Sequence, residues 1–316
     1  GDLAMDISLE RIAAAATAID PVFRNSPQFV CEGLSAELGA PVVLKVETLN
    51  PIRSFKGRGS SWFAQTVKDK SRPVICASAG TFGQGVAHAG TRAGLTVKVV
   101  AATSANPLKL EAMRRFGAEV ILHGHDFDAA KLHAAELARR TGGYFLEDGR
   151  EPAIAEGAGT IAVELLQSRI RPAAIYVPVG NGSLICGIAA WVKAHAPDIR
   201  VIGICPEGAP SMLLSWREGR VLTTERADTI ADGLAVRLPV DDAVTCMRGC
   251  VDDVVLVSDA RMKEAMRLLF RHAGLAIEPS GAAGIAAIMD ASRNPMPVAA
   301  VLCGGNVRAD LLAELV

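Results

Sequence analysis

Short runs of Val, Ile, Leu and Ala recur along the whole chain, separated by segments whose apolar residues follow a helical period. Strands are expected at 42–47, 73–77, 96–101, 119–122, 144–146, 174–179, 201–205, 254–257 and 298–302, and helices at 106–116, 129–140, 154–166 and 260–273. The strands are continuously apolar rather than alternating, so both of their faces must be covered. Parallel sheets laid between helices do this. The expected class is therefore α/β, with open, mostly parallel, twisted sheets. In such sheets ligands lie beyond the carboxyl ends of the strands, where a glycine-rich turn opens the next helix.

Composition narrows the possible functions. A chain of 316 residues has room for two domains with substantial cores. Aromatic residues make up 4% against 50% hydrophobic residues in all, so the core must be built from small aliphatic side chains. With 33 basic and 34 acidic residues the net charge is -1, which supplies no attraction to nucleic acid or to an anionic membrane. Seven scattered cysteines form no C-x-x-C pair, which removes zinc-ribbon and thioredoxin-like chemistry and suits a reducing cytosol. The N-terminus lacks the basic-then-apolar pattern of a signal peptide, and Gly1-Asp2-Leu3-Ala4 is set aside as a foreign extension. Residues 173–192 are uncharged over a membrane-spanning length, but Pro178, Gly180, Asn181 and Gly182 interrupt them. They read as a buried strand, a turn and a helix, and no membrane segment is expected.

Four passages stand where such an architecture puts ligands. Ser54-Phe55-Lys56-Gly57-Arg58-Gly59 carries a lysine into a helix start, where the positive end of the helix dipole disfavours it. Alone, that triplet reads as a solvated turn. Gly180-Asn181-Gly182-Ser183, with Leu184, points successive backbone N–H groups at one spot, which suits an anion. It is not a Walker loop, since no lysine follows its last glycine. A dinucleotide site is also poorly matched, because Cys205 and Pro206 end the next strand where an acid is needed. Ser78-Ala79-Gly80-Thr81-Phe82-Gly83-Gln84-Gly85 and Cys303-Gly304-Gly305-Asn306 are two further turns after strands. Gly/Pro punctuation at 148–152 marks a candidate domain boundary.

Taken in order, Leu49-Asn50-Pro51-Ile52-Arg53-Ser54-Phe55-Lys56, Ser78 to Gly85, Gly180 to Leu184, Glu278-Pro279-Ser280-Gly281 and Cys303 to Asn306 resemble the fold-type II pyridoxal 5′-phosphate (PLP) enzymes. Within them the chain is similar to the threonine/serine dehydratase and serine racemase branch, from Ser8 onward. The resemblance implies two domains, 1–48 with 149–316 and 49–148, with PLP in the cleft between them. It also implies a cytoplasmic homodimer acting on a small amino acid. Lys56 is then the lysine that forms the Schiff base with PLP and serves as base at the substrate α-carbon. Phe55 packs beside the cofactor ring, Gly180, Asn181, Gly182, Ser183 and Leu184 cup the phosphate, and Glu278 joins the cofactor contacts. Ser78, Ala79, Gly80, Thr81 and Phe82 receive the substrate carboxylate, and Cys303 faces the pyridine nitrogen.

Departures from the family pattern sharpen the expected reaction. A thiol at Cys303 is a weak neutral partner, which disfavours a long-lived carbanion and favours loss of a β-substituent as the α-proton leaves. Ala79 stands where serine racemases carry an acid–base serine, so a dehydratase is expected over a racemase. Cys205 and Ser211 replace carboxylates of the cation site found in many relatives, so no metal is expected. Thr81 replaces an asparagine that meets the phenolic oxygen of PLP, and marks an altered substrate choice, a slow enzyme or a repositioned loop. The leading expectation is β-elimination from L-serine, L-threonine or a related β-hydroxy amino acid. β-Replacement and a weakly active PLP-binding protein stand as alternatives. His123 with His125, the pairs Asp241-Asp242 and Asp252-Asp253, and Trp62, Trp191 and Trp216 read as solvent-facing, turn and packing residues.

Overall fold

The computed structural model describes residues 5–292 and 295–315; the extension set aside at residues 1–4 lies outside the described residues. Ten strands occur among them: β1 (Gln28–Val30), β2 (Val42–Val46), β3 (Val74–Ala77), β4 (Val97–Ala101), β5 (Glu119–Leu122), β6 (Tyr144–Phe145), β7 (Ala174–Pro178), β8 (Arg200–Pro206), β9 (Asp253–Val257) and β10 (Val298–Leu302). All nine expected strands are present to within one residue at each end, and the four expected helices to within two. The strand the sequence did not reveal is β1, which pairs antiparallel with β2.

Two sheets result. One has six strands in the order β1-β2-β10-β7-β8-β9, parallel except for β1; the other has four parallel strands in the order β5-β4-β3-β6. The apolar runs explain the layering. Along β2 and β7, Val43, Ile175 and Val177 enter one apolar cluster, while Val42, Leu44, Ala174 and Tyr176 enter another on the opposite face. Helices cover both faces, as strands apolar at every position require. Helix starts follow local chemistry: Asn106 accepts from the N–H of Leu108 with Pro107 in the first turn, and Asp126 accepts from that of Ala129.

One helix contact bears directly on Lys56. The Lys56–Thr66 helix crosses the Pro152–Leu166 helix so closely that a Cβ on Gly157 would lie 2.5 Å from the Cα of Gly59. Only glycine allows that approach. A buried charge network locks the same crossing. Arg58, fully buried, binds Glu164 at 2.7 Å, Thr160 at 3.0 Å and Glu47, while Lys45 on β2 binds Glu164 at 2.7 Å and Gln28 at 2.7 Å. Burial opposes the charge on Glu164, but hydrogen bonds and charge from Arg58 and Lys45 prevail and hold its pKa near about 2. Arg58 is thus not the solvated surface residue that a Lys-Gly-Arg turn suggests in isolation.

Candidate active site

The loop before Lys56 is stitched to the turn after β10. Asn50 accepts from the N–H groups of Ile52 (3.1 Å) and Ser54 (3.3 Å), and its amide donates to the carbonyls of Glu47 and Ser54. Phe55 N–H donates to the Cys303 carbonyl (3.0 Å), Gly305 N–H to that of Arg53 (2.9 Å), and the Asn306 amide to that of Ile52 (3.0 Å). Lys56 therefore starts its helix with a fixed backbone.

Its side chain reaches the turn after β7 through a residue the sequence did not single out. Lys56 Nζ lies 2.9 Å from Asp148 Oδ2, with the Phe55 and Phe82 ring centroids 5.5 and 5.3 Å away. Ser183 Oγ donates to Asp148 Oδ1 at 2.7 Å, the Asn181 amide stands 3.4 Å from Oδ2, and Gly149 N–H donates to Ser183 Oγ at 3.0 Å. Burial by itself pushes the Asp148 carboxyl up. The Lys56 ammonium and the hydrogen bonds from Ser183, Lys56 and Asn181 overcome that and hold its pKa below the ordinary value.

The turn has the shape of an anion cup. Gly182 adopts φ 98° at the cap of the Ser183–His195 helix, and a Cβ on Gly180 would lie 2.4 Å from the Gly233 carbonyl oxygen. The helix's first bond to the turn runs from Cys186 to Gly182. The N–H groups of Ser183, Leu184 and Ile185 have no acceptor among the described residues, the ordinary condition of a first helical turn.

A cleft of about 910 Å³ brings the elements together. Lys56, Ser78, Ala79, Gly80, Thr81, Phe82, Asn181 and Glu278 line it. Phe55, Gly180, Gly182, Ser183, Leu184 and Cys303, expected at the cofactor, are not among the described residues that line it. In the Ser78 loop the serine hydroxyl faces inward, accepting from the N–H groups of Gly80 (3.1 Å) and Gly83 (2.9 Å). The N–H groups of Ala79, Thr81 and Phe82 keep no acceptor among the described residues. Glu278 is half-buried and accepts from Asn306 N–H at 2.9 Å; loss of solvent lifts its pKa to about 7 against the pull of Lys109. The Cys303 thiol is pushed up by burial and then by the Glu278 charge, so it is neutral at ordinary pH.

In the segment following β8, where no metal is expected, Cys205 is buried, Ser211 donates to the Val236 carbonyl, and Glu207 faces solvent. Elsewhere His123 stacks on His133 at 3.7 Å, His125 is exposed, and the Trp62 indole donates to Glu156. Among the described residues no helix is long and apolar enough to cross a membrane. Asp148 escaped sequence reading because a single acid before a glycine has no distinctive spacing. The Gly/Pro punctuation at 148–152 is its only trace.

Comparison with known proteins fits this geometry. Residues 19–304 match the family model described as pyridoxal-phosphate dependent enzyme. The chain is 33% identical over 313 residues to an L-threonine ammonia-lyase of Thermotoga maritima, covering 98% of this chain and 78% of that one. It is 37% identical over 257 residues to a biosynthetic L-threonine dehydratase of Pasteurella multocida, covering 81% of this chain but only half, 50%, of the relative. The solved structure of maize serine racemase superposes with a TM-score of 0.89 at 27% identity, covering 98% of this chain and 96% of that one.

Proposed function

The chain belongs to the pyridoxal-phosphate dependent enzyme family, and on that footing we propose that it eliminates the β-hydroxyl of a small amino acid such as L-threonine or L-serine and releases ammonia, leaving a 2-oxo acid. The observation that carries this reading is the convergence of Lys56, Ser183 and Asn181 on a single anionic group, now the Asp148 carboxylate, at the mouth of a glycine-built helix start. An amine and a set of anion donors sharing one spot suit an aldehyde that carries a phosphate.

The residues fit PLP. When bound, PLP withdraws electrons from the substrate α-carbon, which makes its proton removable. Lys56 Nζ would hold the cofactor and take the α-proton. It lies one-fifth exposed between the Phe55 and Phe82 rings, and it must give up its ion pair with Asp148 before it can bond the cofactor. The free N–H groups of Ser183, Leu184 and Ile185 would hold the phosphate, and those of Ala79, Thr81 and Phe82 the substrate carboxylate. Cys303, a neutral thiol, would face the ring nitrogen without protonating it, which favours concerted loss of the β-hydroxyl over a persistent carbanion. Ala79 brings no acid–base group of its own to the cleft, which favours elimination over racemization.

The same reading has 49–148 as a small domain closing on 1–48 with 149–316, and a homodimer working in the cytoplasm. Seven cysteines without a disulfide support the reducing compartment. The test is 2-oxo acid formation by the PLP-loaded protein from L-threonine and L-serine. Activity on either, reduced at least about a thousandfold in Lys56→Ala, supports the proposal. No product from either substrate and from related β-hydroxy amino acids contradicts it.

A further inference from the structure

Asp148 creates a tension inside the proposed site. Its carboxylate occupies groups at the place the cofactor would enter: the Ser183 hydroxyl at 2.7 Å and the Asn181 amide at 3.4 Å, beside the N–H groups proposed for the phosphate, and at 2.9 Å the Lys56 ammonium proposed for the aldehyde. Ser183 cannot serve both anions, because its hydroxyl has one proton and that proton goes to Asp148, while its oxygen accepts from Gly149 N–H. The loop carrying Asp148 is firmly held. Gly149 follows it at φ 97°, and a Cβ there would lie 2.9 Å from the Asn181 carbonyl oxygen. Asp148 is itself largely covered, with 9% of its side chain exposed. Two anions forced onto the same donors repel, at a cost that grows as water is excluded.

Resting on the PLP reading above, we propose that Asp148 is a built-in competitor of the cofactor phosphate. In the unloaded protein it satisfies the cup donors and neutralises Lys56, groups that would otherwise be costly to leave buried without partners. Loading the cofactor requires the carboxylate to surrender Lys56 and the Ser183 proton. Affinity for the phosphate is therefore set below what the cup's backbone donors alone would give, and the unloaded state is stabilised in exchange. Asp148 touches Lys56 Nζ only while the cofactor is absent and takes part in no bond change in this account; it governs occupancy of the site.

The test titrates unloaded protein with PLP, followed by the absorbance of the lysine-bound chromophore, and separately with inorganic phosphate, followed by the shift in melting temperature. Asp148→Asn keeps the shape and removes the charge. It is expected to bind PLP about tenfold more tightly than the wild type or better, to gain more melting temperature from phosphate, and to melt lower when unloaded. Asp148→Ser, which has no amide to offer the phosphate, is expected to shift in the same direction and stands in if Asp148→Asn does not fold. Equal or weaker PLP affinity in a cooperatively melting variant overturns the competitor. Absence of the chromophore in wild type and variants alike removes the cofactor reading instead, so the two failures are distinguishable.

Discussion

Lys56 Nζ and Asp148 Oδ2 meet at 2.9 Å although 92 residues separate them along the chain. The contact ties the loop after β2 to the loop after β6, and Ser183 extends it to the turn after β7. Three carboxyl ends of parallel strands, drawn from both sheets, thus face one point. Open α/β sheets place ligands at such points.

The network behind the lysine is expected to be essential for stability. Arg58→Met removes the guanidinium from between Glu47 and Glu164 and leaves two buried carboxylates with Lys45 alone. Breaking a buried pair on one side costs about 3–5 kcal/mol, which denaturant unfolding will register. A loss below about 1 kcal/mol would show that the carboxylates find water or protons readily.

Glu278 makes the unloaded protein sensitive to pH. Its carboxyl titrates near about 7 in the fold against 4.5 ordinarily, so between those values the folded state holds a proton that the unfolded state has lost. Stability from this group is complete below pH 4.5 and declines as pH rises toward 7, by on the order of 3 kcal/mol. Glu278→Gln is expected to flatten melting temperature across that window. An unchanged slope in the variant would remove Glu278 as its source.

The glycine turn should tolerate no side chain. Gly182→Ala must hold φ 98° with a Cβ, and Gly180→Ala places a methyl group 2.4 Å from the Gly233 carbonyl oxygen. Each is expected to cost about 1–3 kcal/mol in stability and to weaken PLP binding at least about tenfold, read by equilibrium titration. Wild-type affinity in both would mean that the phosphate is held elsewhere.

Ala79 separates elimination from racemization. Incubating the wild type with L-serine is expected to give 2-oxo acid with no D-serine, and Ala79→Ser to introduce D-serine by restoring a proton carrier in the cleft. Chiral chromatography of the products decides it. D-serine from the wild type would show that another residue serves the opposite face.

Much of this organisation was legible in the residues. Continuous apolar strands forced two-faced burial, and with it parallel sheets; glycine turns at strand ends marked where ligands go. What stayed hidden shares a physical cause. β1 is three residues long, too short to display a period, and exists because β2 offers an edge. Lys45 and Glu47 read as a charged strand end, yet Lys45 is fully buried and Glu47 nearly so, because Arg58 and Glu164 arrive from distant helices to neutralise them. Asp148 likewise acquires its meaning only when Lys56 and Ser183 are brought to it. Pairing between remote charges depends on the fold, which no local pattern records.

The most direct measurement is to find where the cofactor attaches. PLP-loaded protein is reduced with borohydride, digested and mapped by mass spectrometry. The account predicts a pyridoxyl-lysine on the peptide containing Lys56, absent from Lys56→Ala. A label on any other lysine, or none at all, would contradict it.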